Sequence, residues 1–253
     1  MLWNASTLTG YAISTTDGEI GSVKDLLFDD ENWMIRWLVV DAGTWLSGRK
    51  VLLPPSICAA PNVAKRTLQV DITRQKVKDS PSLDADAPVS RVQETDLSAY
   101  YGWQPYWLGY PPAAGMPAAP LPPRPAEGPA VNANALPIKN QGDPHLRSAD
   151  EVTGYYIRAS DGDIGHVEEL LLDVGSTWTV RYLVVDTKNW WPGKETIVSP
   201  KSFREVDWID GTVTTDLTRD RIKNAPEYDP ATVVDRAYED RYHGYYNYPP
   251  YWM

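Results

Sequence analysis

A chain of 253 residues with a formal charge of −10 and a single cysteine has room for two domains of about 100 residues each. No block of Lys and Arg stands anywhere in it, which argues against binding a nucleic-acid phosphate backbone or an anionic bilayer surface. Cys58 has no partner for an internal disulfide, no apolar run reaches the length of a spanning helix, and the opening MLWNASTLTG lacks a signal-peptide pattern. The expectation is a cytoplasmic protein with no direct membrane insertion.

The chain states the same pattern twice. LTGYAISTTDGEIGSVKDLLFD, from Leu8, returns as VTGYYIRASDGDIGHVEELLLD, from Val152, and YYGWQPYW returns as YYNYPPYW. The copies differ by one inserted residue, in the turn before Trp178. A repeat this long is a duplicated domain rather than a solenoid unit.

In chain order, each copy opens with a short alternating strand, and Asp17-Gly18 and Asp161-Gly162 supply hairpin-turn chemistry. The next strand contains Gly21 or Gly165, which marks a bulge or a close backbone approach. A third strand follows as WMIRWLVVD or WTVRYLVVD, then a proline-ended fourth (RKVLLPP, ETIVSP) and a fifth (RTLQVDI, TVTTDL). Thr73 and Thr218 read as N-caps of a single helical turn stopped by Pro81 and Pro226, and a second short helix carries tyrosines at its end. Five short strands with tight turns predict a small closed barrel.

The boundaries are 1–107 for the first copy, 108–146 for a Pro/Ala-rich linker with ten prolines, and 147–253 for the second copy. Proline stops helix and sheet alike, so the linker reads as a semi-stiff tether that spans on the order of 35 Å as a flexible coil. Its PLPPRP core is similar to a polyproline ligand for aromatic grooves, but a plain spacer is the favoured reading.

The blocks GYxIxxxDGxIGxVxxLLxD and WxxRxLVVD, with the proline-ended strand after them, resemble the PRC-barrel domain. That family includes the photosynthetic reaction-centre H subunit, a ribosome-maturation factor, and bacterial stand-alone proteins with tails ending like PYW. The resemblance implies a mainly β fold of two tandem small PRC-type β-barrels, each with short C-terminal helices, acting as an adaptor.

No nucleophile–base pair, phosphate loop or dinucleotide fingerprint is present, so no catalytic residue and no cofactor are expected. His145, His166 and His243 lack metal-ligand spacing, and no metal is expected. Cys58 aligns with Phe203, which marks a packing position. Arg36 and Arg181 stand among apolar neighbours and need carboxylates. Asp29 or Asp41 serves the first and Asp173 or Asp186 the second, as structural ion pairs.

The candidate partner-binding residues are aromatic: Trp45, Trp190 and Trp191 in the loop before the fourth strand, and Tyr106, Trp107, Tyr251 and Trp252 at the ends of the copies. Those tails dock either on their own barrels or on another protein. The two copies either pack as a pseudo-twofold pair or stay apart, and a homo-oligomer is a further arrangement. The function expected is a non-catalytic adaptor for an unidentified protein partner. Two further readings follow from the family: help in ribosome or RNA maturation, and a cytoplasmic cap on a membrane photosynthetic or electron-transfer complex.

Overall fold

A computed structural model describes residues 2–46, 48–81, 89–103, 105–106, 142–175, 177–187 and 194–252. The first copy contributes β1 (Trp3–Asn4), α1 (Ala5–Leu8), β2 (Ala12–Thr15), β3 (Gly18–Asp29), β4 (Ile35–Asp41), β5 (Lys50–Leu53), β6 (Thr67–Gln69), α2 (Arg74–Lys78) and α3 (Arg91–Tyr101). After the linker come β7 (Leu146–Ser148), α4 (Ala149–Val152), β8 (Tyr156–Ala159), β9 (Gly162–Asp173), β10 (Thr179–Asp186), β11 (Glu195–Val198), β12 (Phe203–Asp207), β13 (Thr212–Thr215), α5 (Arg219–Lys223) and α6 (Arg236–Tyr246).

The fold is mainly β, and each copy builds one sheet. The first runs β5-β4-β3-β2-β6 and the second β11-β10-β9-β8-β13-β12. Among the described residues, only β2–β6 and β8–β13 pair in parallel. The strand order is that of a small barrel, but neither sheet closes into the full ring expected. Strands β5 and β11 last four residues before Pro55 and Pro200 open 3-10 turns. Proline brings no amide donor, so the ladder stops there.

The local signals act as their chemistry requires. The two-residue hairpin turn is Thr16-Asp17, with Gly18 already paired to Thr15, one residue earlier than Asp17-Gly18 suggests. Asp17 also accepts the Arg74 amide at 2.7 Å, and Asp161 accepts the Arg219 amide at 2.8 Å. Each turn aspartate thereby ties its hairpin to the start of α2 or α5. Thr73 and Thr218 cap those helices. Gly21 and Gly165 are fixed by space: an added Cβ would lie 1.9 Å from the Asp41 carbonyl oxygen and 1.8 Å from that of Asp186.

The two copies exchange strands. β1 leaves the first copy and pairs antiparallel with β9, while β7, just after the linker, pairs antiparallel with β3. Contacts beside them match in pairs. Ser148 donates to Asp25 at 2.6 Å, and Ser6 donates to Glu169. Between them, Ile35 N donates to Trp178 O at 2.7 Å and Val180 N to Trp33 O at 2.8 Å. Trp33 and Trp178 both take left-handed backbone angles, φ 59° and 46°, which are rare for a bulky residue and are held here by the reciprocal bonds. One continuous hydrophobic core runs through both copies. Each large side chain buried in it contributes about 1.5–3 kcal/mol.

The linker returns to where it left. Tyr106 Oη donates to Asp143 Oδ2 at 3.2 Å, so the connection has no distance to bridge between its described ends. Residues 107–141, which include PLPPRP and Trp107, lie outside the described residues.

Candidate functional site

Each copy anchors its tail on a buried glutamate. Helices α3 and α6 carry Glu94 and Glu239 on their inner faces, both without solvent exposure. Trp37, on β4, donates its indole N–H to Glu94 at 2.6 Å. Tyr182, at the same position of β10, donates its hydroxyl to Glu239 at 3.3 Å. Above these groups the tail tyrosines are held between two arginines. The Arg36 guanidinium lies 4.2 Å from the Tyr106 ring centre and Arg91 5.3 Å. Arg181 and Arg236 stand at 3.6 and 5.3 Å from Tyr251. These are cation–π distances.

The strand arginines reach one of the two expected carboxylates. Arg36 pairs with Asp29 at 2.7 Å and Arg181 with Asp173 at 3.2 Å. Asp41 instead accepts the Gly43 amide, and Asp186 lies 3.8 Å from His166. Strand geometry decides this: Asp29 and Asp173 end the neighbouring strand opposite the arginines, whereas Asp41 and Asp186 lie at the far end of the arginines' own strands.

Beneath the tails the copies part. In the first, Asp143 brings a second buried carboxylate beside Glu94, with Arg91 at 2.7 Å from Asp143 and 3.8 Å from Glu94. Burial pushes Glu94 up to about 7, and the neighbouring Asp143 adds to the shift. In the second, Tyr251 Oη donates to Glu239 at 2.5 Å, and His243 Nε2 lies 3.0 Å from the Tyr182 hydroxyl. Burial, with Lys201 nearby, lowers the His243 pKa and favours the neutral ring.

A cleft of about 690 Å3 lies between the copies. One wall is the turn Asp30–Trp33 of the first copy together with Pro144 and His145 from the end of the linker and Arg147 on β7. Asp30 on that wall is neutralised by His145 at 2.9 Å and Arg147 at 3.0 Å. The opposite wall is β10 and the segment from Ser199 to Trp208, with His243 and Tyr251 behind. The aromatic floor is built across the boundary: Trp33 stacks on Phe28 at 5.0 Å and meets the second copy's Phe203 at 5.2 Å and Trp208 at 6.3 Å. Arg147 covers Trp208 at 4.3 Å.

Residues 4–77 match the family model of the PRC-barrel domain. The first copy contains a PRC-barrel domain over those residues. No curated protein matches the chain. The second copy repeats the strand order of the PRC-barrel copy from β8 to β11, pairs β13 as β6 is paired, and adds β12.

Of the seven aromatic candidates, Tyr251 reaches the cleft, while Tyr106 and Trp252 pack on the arginines of their own copies. Trp45 lies in the 3-10 turn Gly43–Leu46, and its side chain falls outside what is described, as do Trp190, Trp191 and Trp107. No helix among the described residues is long and apolar enough to cross a membrane, and no cluster of metal-binding side chains occurs among them.

Glu94, Glu239 and the boundary residues Trp33, Phe203 and Trp208 were not singled out from sequence. A signal for two of these positions existed. Glu94 aligns with Glu239 and Trp33 with Trp178, and both pairs are identical.

Proposed function

We propose that the chain is a non-catalytic binding module, an adaptor, and that its partner protein docks in the cleft between the PRC-barrel copy and the second copy. The observation that carries this reading is the cleft itself: an aromatic floor made jointly by Trp33, Phe203 and Trp208, with charged side chains around it. Aromatic anchors in a concave, partly charged setting are the usual hot spots of protein recognition. The PRC-barrel assignment is compatible with a module that holds proteins together.

Blocking the cleft tests the proposal. Glu205 is exposed at the cleft wall, so Glu205→Cys, placed in a Cys58→Ala background that removes the partly buried native thiol, accepts a bulky maleimide. Affinity capture from the native host should lose its specific partner after this labelling. The same label on Lys65→Cys, in an exposed turn of the first copy, should leave capture intact. Equal recovery of the same proteins from both labelled forms would refute the proposal.

A further inference from the structure

The two copies differ most where the second one faces the cleft. Phe203, Arg204, Glu205, Val206 and Trp208 of the second copy align with Cys58, Ala59, Ala60, Pro61 and Val63 of the first. The consequence is a strand present on one side only. In the first copy this segment makes isolated bridges, Cys58 to Val70 and Asn62 to Thr67, because Pro61 interrupts the ladder. In the second it is β12, which pairs with β13 and ends its sheet.

An edge strand offers a row of backbone donors and acceptors, and β12 lines the cleft through Phe203 to Val206. Arg204 lies at a register shift between Phe203 and Glu205, the kind of bulge that re-aims a side chain. The wall along this edge carries three cations, Arg181, Lys201 and Arg204, against one carboxylate, Glu205. Arg181 is held by Asp173. The Lys201 ammonium donates at 2.8 Å to a carbonyl, that of Pro249, and burial together with Arg181 lowers its pKa. Arg204 makes no ion pair among the described residues. The Phe203 and Trp208 rings beside these cations supply apolar surface.

We propose that the cleft takes an extended acidic peptide segment of the partner, added as a further strand along β12, with a carboxylate set between Lys201 and Arg204 and an apolar side chain on Phe203 and Trp208. This is strand addition: backbone bonds hold the peptide, and alternate side chains give specificity. It rests on reading the cleft as the partner site and adds the partner's chemistry. The first copy cannot take a peptide this way, since Pro61 and Ala59 provide neither the edge nor the charge.

The test titrates the intact protein into a fluorescein-labelled hexapeptide alternating glutamate with valine, followed by anisotropy. Saturable binding is expected. It should weaken at least about tenfold in a Lys201→Glu plus Arg204→Glu variant, whose substituted positions are exposed, and circular dichroism checks that the variant folds. N-methylation of alternate peptide amides should weaken it comparably by removing strand donors. The proposal is overturned if a lysine–valine hexapeptide binds as tightly, if the double variant or the N-methylated peptide binds unchanged, or if the acidic peptide shows no binding up to about 1 mM. Any of these results leaves the cleft-blocking experiment free to succeed, so the partner's chemistry and its location fail separately.

Discussion

The two copies make the same scaffold from different side chains. Arg36–Asp29 and Arg181–Asp173 occupy equivalent places, as do the tail tyrosines Tyr106 and Tyr251 and the buried Glu94 and Glu239. Around those glutamates the chemistry departs: Trp37 and Asp143 attend the first, Tyr182 and Tyr251 the second, where His243 joins the network. On the outside, the first copy offers Cys58, Ala59 and Pro61 where the second offers a charged, aromatic edge. Contacts that hold the fold are thus kept twice, and the differences gather where the copies meet a cleft.

Breaking the shared frame should have the largest effect, and an equal one in both copies. Gly21→Val or Gly165→Val drives a side chain into the carbonyl of Asp41 or Asp186, and each should remove more than about 4 kcal/mol of stability in urea unfolding. Next is the boundary. Trp33→Ala empties the stack with Phe28, Phe203 and Trp208 and should cost about 3–5 kcal/mol.

The buried glutamates sharpen the comparison through pH. Glu94 is held at about 7 in the folded protein against an ordinary 4.5, so the folded state binds the proton more tightly. Stability therefore falls as pH rises from about 4.5 to about 7 and levels off above. Glu94→Gln keeps an oxygen for the Trp37 indole and removes the charge. It should abolish this slope and raise stability at pH 8 by on the order of 2–3 kcal/mol, as read from urea unfolding across pH. The smallest effect belongs to the exposed Lys194–Glu227 pair, where Lys194→Ala should change stability by less than about 0.5 kcal/mol.

Much of the scaffold was legible in the sequence. The glycine bulges, the capping threonines and the succession of strands along the chain follow from residues whose chemistry is local, such as the Thr218 hydroxyl accepting the Arg221 amide at 3.2 Å. The strand exchange was not legible. Trp3–Asn4 and Leu146–Ser148 are too short to show a period, and their pairing depends on residues far away in the chain. The same is true of the linker's return, which one hydrogen bond from Tyr106 to Asp143 reveals. At the cleft, β12 was not read as a strand from the sequence: the first copy has Pro61 where the second has Val206, and the pairing that leaves β12 at an edge is a matter of topology.

The central claim is that the copies form one body through exchanged strands, whether or not residues 107–141 join them. Inserting a specific protease site within 107–141 and cutting it tests this directly by size-exclusion chromatography with light scattering. Two fragments eluting together at the intact mass of 28.3 kDa are predicted. Fragments that separate into two smaller folded species would contradict the account.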